Sequence, residues 1–141
     1  MSNAFPKHNL ETAPEKSKPL LRQLLEQSGP NGFYSVTAES PETLTAYAML
    51  HKAFMASSFT NEEKTVIWQT INVENQCHFC VPAHTYMAKA MKIDKAVSDA
   101  LRNETALPTA RLEALRDFTL LMLRNHGKAN DAEISKFLSE G

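Results

Sequence analysis

The residues best suited to chemistry in this chain form one cluster, Cys77-His78-Phe79-Cys80-Val81-Pro82-Ala83-His84. Cys77 and Cys80 are the only cysteines. A disulfide stabilises mainly by restricting the unfolded chain, and closing so short a loop restricts it little. The pair therefore reads as reactive or metal-binding, in a reducing compartment. On a helix, positions three and four apart share a face, so a helix beginning at Cys77 turns Cys77, Cys80 and His84 the same way. His78 projects roughly a third of a turn off that stripe. A thiol attacks only as its thiolate. Unpaired amides at a helix N-terminus favour that anion, and a histidine one turn away can take the proton. Two thiols three residues apart can then close to a disulfide, which makes a single oxidation reversible. The spacing thus points to a peroxide- or disulfide-reducing centre.

The order of attack stays open at this level. Cys77 lies nearer the helix end and gains more from the dipole, whereas Cys80 has the nearer histidine. Zinc is the competing reading, because cysteine and histidine are both zinc ligands. A structural zinc site takes four ligands, and Cys77, Cys80 and His84 supply three. His78 is badly angled to join them. His51 and His126 are the other candidates, each read as a partly buried helix residue, so no metal and no cofactor is expected. His8 sits on an N-terminal arm and reads as solvated. Trp68 and the Phe54–Met55 pair read as core.

The elements that must carry this cluster are helical. Glycine is scarce, with four in total, and apolar residues recur at helical spacing. An extended arm, residues 1–12, leads to a helix striped by Leu20, Leu21, Leu24 and Leu25. Pro19 belongs near its start, and it ends near Ser28-Gly29-Pro30. Asn31 to Glu39 reads as a loop holding Phe33 and Tyr34. Ser40-Pro41 opens a second helix, with Leu44, Tyr47, Ala48, His51, Phe54 and Met55 on one face. Thr60 and Glu63 form a capping box for a third, with Val66, Ile67, Thr70 and Ile71 buried, running to about Glu74. After a bend at Asn75-Gln76, Cys77 begins a fourth that runs to about Met91. Asp94 or Asp99 caps a short fifth. Pro108 starts a sixth that ends at His126-Gly127, the glycine serving as C-cap. Asn130 and Glu133 open a seventh carrying Ile134, Phe137 and Leu138. The expected fold is an all-α bundle of about six to seven helices in a single domain, 1–141, with the cysteine pair at the start of a central helix. The last helix reaches Gly141 with an apolar side that a neighbouring subunit could cover.

Composition narrows the function. The chain has 141 residues and a formal charge of −1, which argues against a nucleic-acid or anionic-membrane binder. No apolar run approaches the ~20 residues needed to span a bilayer, and the N-terminus lacks the apolar core of a signal peptide. A cytoplasmic location is expected. Ser2-Asn3-Ala4 reads as native or as a tag remnant.

At these residues the sequence resembles the alkyl hydroperoxidase D-like, or carboxymuconolactone decarboxylase, superfamily. The likeness is carried by Thr60-Asn61-Glu62-Glu63-Lys64-Thr65-Val66, Asn75-Gln76-Cys77-His78-Phe79-Cys80 and Ala83-His84-Thr85. It extends to Leu10-Glu11-Thr12-Ala13-Pro14-Glu15, the Ser40-Pro41 helix and the Asp131-to-Gly141 segment. The resemblance implies an all-α fold, trimers or hexamers, and a dithiol peroxidase activity. It implies that Cys80 is peroxidatic, Cys77 resolving and His84 the proton relay, with His78 and Thr65 in support. It also implies hydroperoxide as substrate and a lipoamide- or thioredoxin-type dithiol as reductant.

Four positions depart from the pattern. Thr65 stands twelve residues before Cys77, where the redox members place a glutamate, and threonine cannot act as a carboxylate base. Gln76 and Lys92 replace common glycines. The chain ends at Gly141, where relatives continue with another helix. The Thr65 exchange raises an alternative, a redox-sensing or scaffold member without turnover. A zinc-binding module is the remaining one. The lactone-decarboxylating branch does not rely on a cysteine pair, so Cys77 and Cys80 point away from it.

Overall fold

Short polar side chains fix where most of the helices begin. The computed structural model describes residues 5–140. Within them are eight helices and no strand: α1 (Lys18–Ser28), α2 (Gly32–Thr37), α3 (Pro41–Met55), α4 (Asn61–Glu74), α5 (Cys80–Ala90), α6 (Lys95–Asn103), α7 (Ala110–Arg124) and α8 (Asp131–Ser139). Asn31, Ser40, Thr60, Asp94, Thr109 and Asn130 each accept a first-turn amide through the side chain. Such caps satisfy donors that have no partner inside the helix. Thr60–Glu63 and Asn130–Glu133 form full capping boxes, as their spacing predicts. Ser2-Asn3-Ala4, the start of the arm, and Gly141 lie outside the described residues.

The chain divides into two compact units, Met1–Ser57 and Ser58–Gly141. The first holds α1 to α3 around Ala13, Leu21, Ala38 and Leu44, with Leu10, Leu20, Leu24, Leu25 and Tyr34 packed against them. The second is built on α4. Val66 of α4 meets Val97, Ala100 and Leu101 of α6 and Leu112 and Leu115 of α7, and α8 leans on α7 through the stacked rings of Phe118 and Phe137.

Several expectations need correction. The 31–39 stretch is not a loop: it contains α2, whose Asn31 side chain accepts the amide of Phe33 at 2.9 Å. Six residues are too few to display a period. The arm is not extended where described, because Asn9 Oδ1 accepts the amides of Glu11 and Thr12 and folds it into a turn. Nor is His8 solvated: its side chain is 11% exposed and its Nε2 meets Glu39 at 2.5 Å. Pro108 precedes the cap of α7 rather than starting the helix.

Helix ends follow one device. Gln76, Lys92, Glu104 and His126 all have left-handed backbone, with φ between 50° and 59°. The residue after each donates its amide five positions back: Cys77 to Asn72, Ile93 to Ala88, Thr105 to Ala100 and Gly127 to Met122. This is the Schellman closure, which usually places glycine at the left-handed position. At the end of α7 that position is His126, and the expected glycine cap, Gly127, comes one residue later.

Candidate redox site

Cys77 lies in the turn between α4 and α5, and Cys80 is the first residue of α5. The expectation that a helix starts at Cys77 is corrected: α5 starts at Cys80, and Cys77 sits in the connection after α4, its carbonyl accepting the amide of Val81 at 3.1 Å. The amide of Cys77 donates to the carbonyl of Asn72 at 3.0 Å, after the left-handed Gln76 has turned the chain. Cys77, Cys80 and His84 therefore do not share one helical stripe, although Cys80 and His84 do. The turn still brings the sulfurs together. Cys77 and Cys80 are joined as a disulfide, with Cα atoms 5.2 Å apart, well inside the range such bonds require. Both residues are half-buried.

α5 lacks a side-chain oxygen cap. Its first amide, that of Cys80, donates instead to Cys77 Sγ at 3.1 Å. Cys77 sulfur thus lies at the positive end of α5, where a thiolate gains from the helix field.

One turn into α5, the His84 ring packs edge-to-face on Trp68 of α4, centroids 5.0 Å apart. Its Nδ1 is shut off from solvent. Trp68 is half-buried and backs the imidazole. His78 is exposed in the turn between the helices. Thr65 is buried, 3% exposed, and its hydroxyl donates to the carbonyl of Asn61 at 2.8 Å. Its proton is therefore committed to its own helix. His51 stacks on Tyr47 in the other unit, and burial lowers its pKa. His126 is exposed at the end of α7. Among the described residues no three His, Cys, Asp or Glu side chains are gathered for a metal, so the zinc reading finds no ligand set there.

Sequence reading passed over Gln69, Asn72 and Thr85. Gln69 is 1% exposed. Its Nε2 donates to the Val81 carbonyl and to Thr85 Oγ1, both at 3.0 Å, and its Oε1 accepts from Asn72 Nδ2 at 3.1 Å. A carboxamide at an otherwise apolar helical position was the available signal, since a buried amide needs partners.

No family model matches the chain, and none of the curated proteins matches it. Solved structures do. One is an alkylhydroperoxidase AhpD core structure, an uncharacterized peroxidase-related protein from Ralstonia eutropha JMP134. It superposes with a TM-score of 0.83 at 22% identity, over 97% of this chain and 75% of that one. Another, an uncharacterized peroxidase-related protein from Silicibacter sp. TM1040, gives 0.80 at 20% identity, over 98% and 74%. Eight helices among the described residues, with a bridged cysteine pair at the head of α5, define an all-α protein of the alkylhydroperoxidase D-like fold. At these identities the likeness carries the fold. Among the described residues no helix is long and apolar enough to cross a membrane.

Proposed function

We propose that the protein is a dithiol–disulfide oxidoreductase that reduces hydroperoxides through Cys77 and Cys80. The observation that carries the reading is the half-buried sulfur pair at bonding distance, one helical turn from His84. In the cycle, Cys80 thiolate attacks the peroxide oxygen, the O–O bond breaks, and Cys80 becomes a sulfenic acid. The leaving alkoxide takes the proton that His84 holds, giving an alcohol. Cys77 thiol then displaces hydroxide from Cys80, and disulfide and water form. A dithiol donor returns two electrons and two protons by attacking Cys80 Sγ and expelling Cys77. Cys77 is the better leaving group because the Cys80 amide already donates to its sulfur. The donor class is a lipoamide- or thioredoxin-type dithiol. The same reading takes the protein as a cytoplasmic homo-oligomer, trimer or hexamer. Ile134 and Leu138 on α8, 38% and 67% exposed, supply apolar surface for assembly.

A second reading has its own support. The Thr65 hydroxyl is tied to the Asn61 carbonyl, so it offers no base to the relay. The protein would then sense oxidation without turnover. Steady-state peroxide consumption with a dithiol reductant decides between them. The peroxidase reading expects turnover in the parent, none in Cys80→Ser, and a trapped sulfenic acid or mixed disulfide in Cys77→Ser. Stoichiometric oxidation of the parent without turnover favours the sensor. Equal turnover in all three proteins sinks both.

A further inference from the structure

We infer that Gln69 is a positioning residue for the sulfur couple, acting as a buried clamp between the two cysteine-bearing segments. The inference rests on the dithiol reading above.

One carboxamide reaches both sides of the pair. On the Cys77 side, the amide of Cys77 donates to the Asn72 carbonyl at 3.0 Å, and the Asn72 side chain donates to Gln69 Oε1 at 3.1 Å. On the Cys80 side, Gln69 Nε2 donates to the carbonyl of Val81, the residue after Cys80, at 3.0 Å. Its other hydrogen goes to Thr85 Oγ1, and that hydroxyl donates in turn to the same Val81 carbonyl at 2.7 Å. Both amide hydrogens and the carbonyl oxygen of Gln69 are therefore engaged.

Simple core filling does not explain this arrangement. Leucine or methionine would fill a similar volume without the desolvation cost that a buried amide carries. What the amide adds is direction. Two of its bonds cross from α4 to the first two turns of α5, the third ties it to Asn72 near the end of its own helix, and together they fix the separation at which the sulfurs meet. Two thiols held at bonding separation lose less freedom on closing to a disulfide, which favours the oxidised form. Loosening the clamp shifts the equilibrium toward the dithiol.

The measurement is the equilibrium with dithiothreitol, in which protein disulfide plus reagent dithiol gives two protein thiols plus the reagent's cyclic disulfide. Two electrons and two protons pass, and no peroxide is needed. Gln69→Met is expected to disfavour the protein disulfide about tenfold, a reduction potential ~30 mV less negative. Thr85→Val, which leaves Gln69 in place, is expected to shift it about threefold the same way, and Thr85→Ser to restore the parent value. A packing role alone moves melting temperature and leaves the potential in place. If Gln69→Met fails to fold, the Thr85 pair carries the test. Parent-like potentials in Thr85→Val and in any folded Gln69→Met overturn the inference. A parent that equilibrates with dithiothreitol but consumes no peroxide overturns the peroxidase reading and leaves the clamp standing or falling on the potentials.

Discussion

The imidazole of His84 meets the indole of Trp68 edge-on, with ring centroids 5.0 Å apart. The contact gives His84 a packing surface, separable by substitution from the proton carrying proposed for it. His84→Phe keeps an aromatic edge against Trp68 and removes the exchangeable proton. Peroxide consumption is expected to fall by at least ~100-fold, the usual scale for losing a general acid–base group. The melting temperature should stay within a few degrees of the parent. Stopped-flow peroxide kinetics and a thermal melt on the same samples check this, and an unchanged rate removes His84 from the cycle.

Gln76 and Lys92 adopt left-handed backbone at φ 50° and 59°. That conformation costs a non-glycine residue about 1–2 kcal/mol. Glycine relieves it but loses roughly 0.5–1 kcal/mol through the freedom of the unfolded chain. Lys92→Gly should therefore stabilise by about 0.5–1 kcal/mol, raising the melting temperature by ~2–4 °C, with no change in thiol chemistry. Gln76→Gly should gain similarly, but it sits beside Cys77 and also frees that turn. Urea denaturation of both variants is the check, and a loss of stability in Lys92→Gly would contradict the account.

Glu63 closes the capping box of α4 and also pairs with α7. Its Oε2 accepts the Thr60 amide at 2.7 Å, and its Oε1 accepts Arg111 Nε and Nη2 at 3.0 and 2.7 Å. The Thr60 amide and the Arg111 guanidinium hold its carboxyl below the usual carboxylate range. Protons therefore bind the unfolded chain first. The stabilisation is complete above the ordinary carboxylate value and is lost as pH falls toward the lowered one. Glu63→Gln should cost about 1–3 kcal/mol at neutral pH and flatten the acid limb of the stability curve. An unaltered acid limb, read by denaturation from pH 7 downward, would rule this out.

His51 stacks on Tyr47 with ring planes 17° apart. Burial pushes its pKa below the usual histidine value. The folded state thus resists the proton that the unfolded chain accepts. The contribution is present above the ordinary value of about 6.5 and fades as pH drops through the lowered one. His51→Phe should remove that part of the dependence while keeping the stack. Proton NMR of the His51 ring should give a midpoint below the ordinary value, and a midpoint above it would refute the assignment.

What the sequence disclosed was local. Ser40-Pro41, Thr60 with Glu63 and Asn130 with Glu133 announce helix starts because each cap is made within three residues. The Cys77–Cys80 spacing announces the sulfur pair for the same reason. What it concealed depends on distant contacts or disguised turns. Gln76 hides the left-handed turn that a glycine would advertise, so the start of α5 at Cys80 rather than Cys77 is not legible. Gln69 bonds to groups 12 and 16 positions away, and no period reports that. His8 finds Glu39 across 31 positions, so an arm that looks solvated is anchored.

The sulfur bridge spans a corner. Cys77 lies in the turn that leaves α4 and Cys80 begins α5. The bridge therefore locks the corner between α4 and α5.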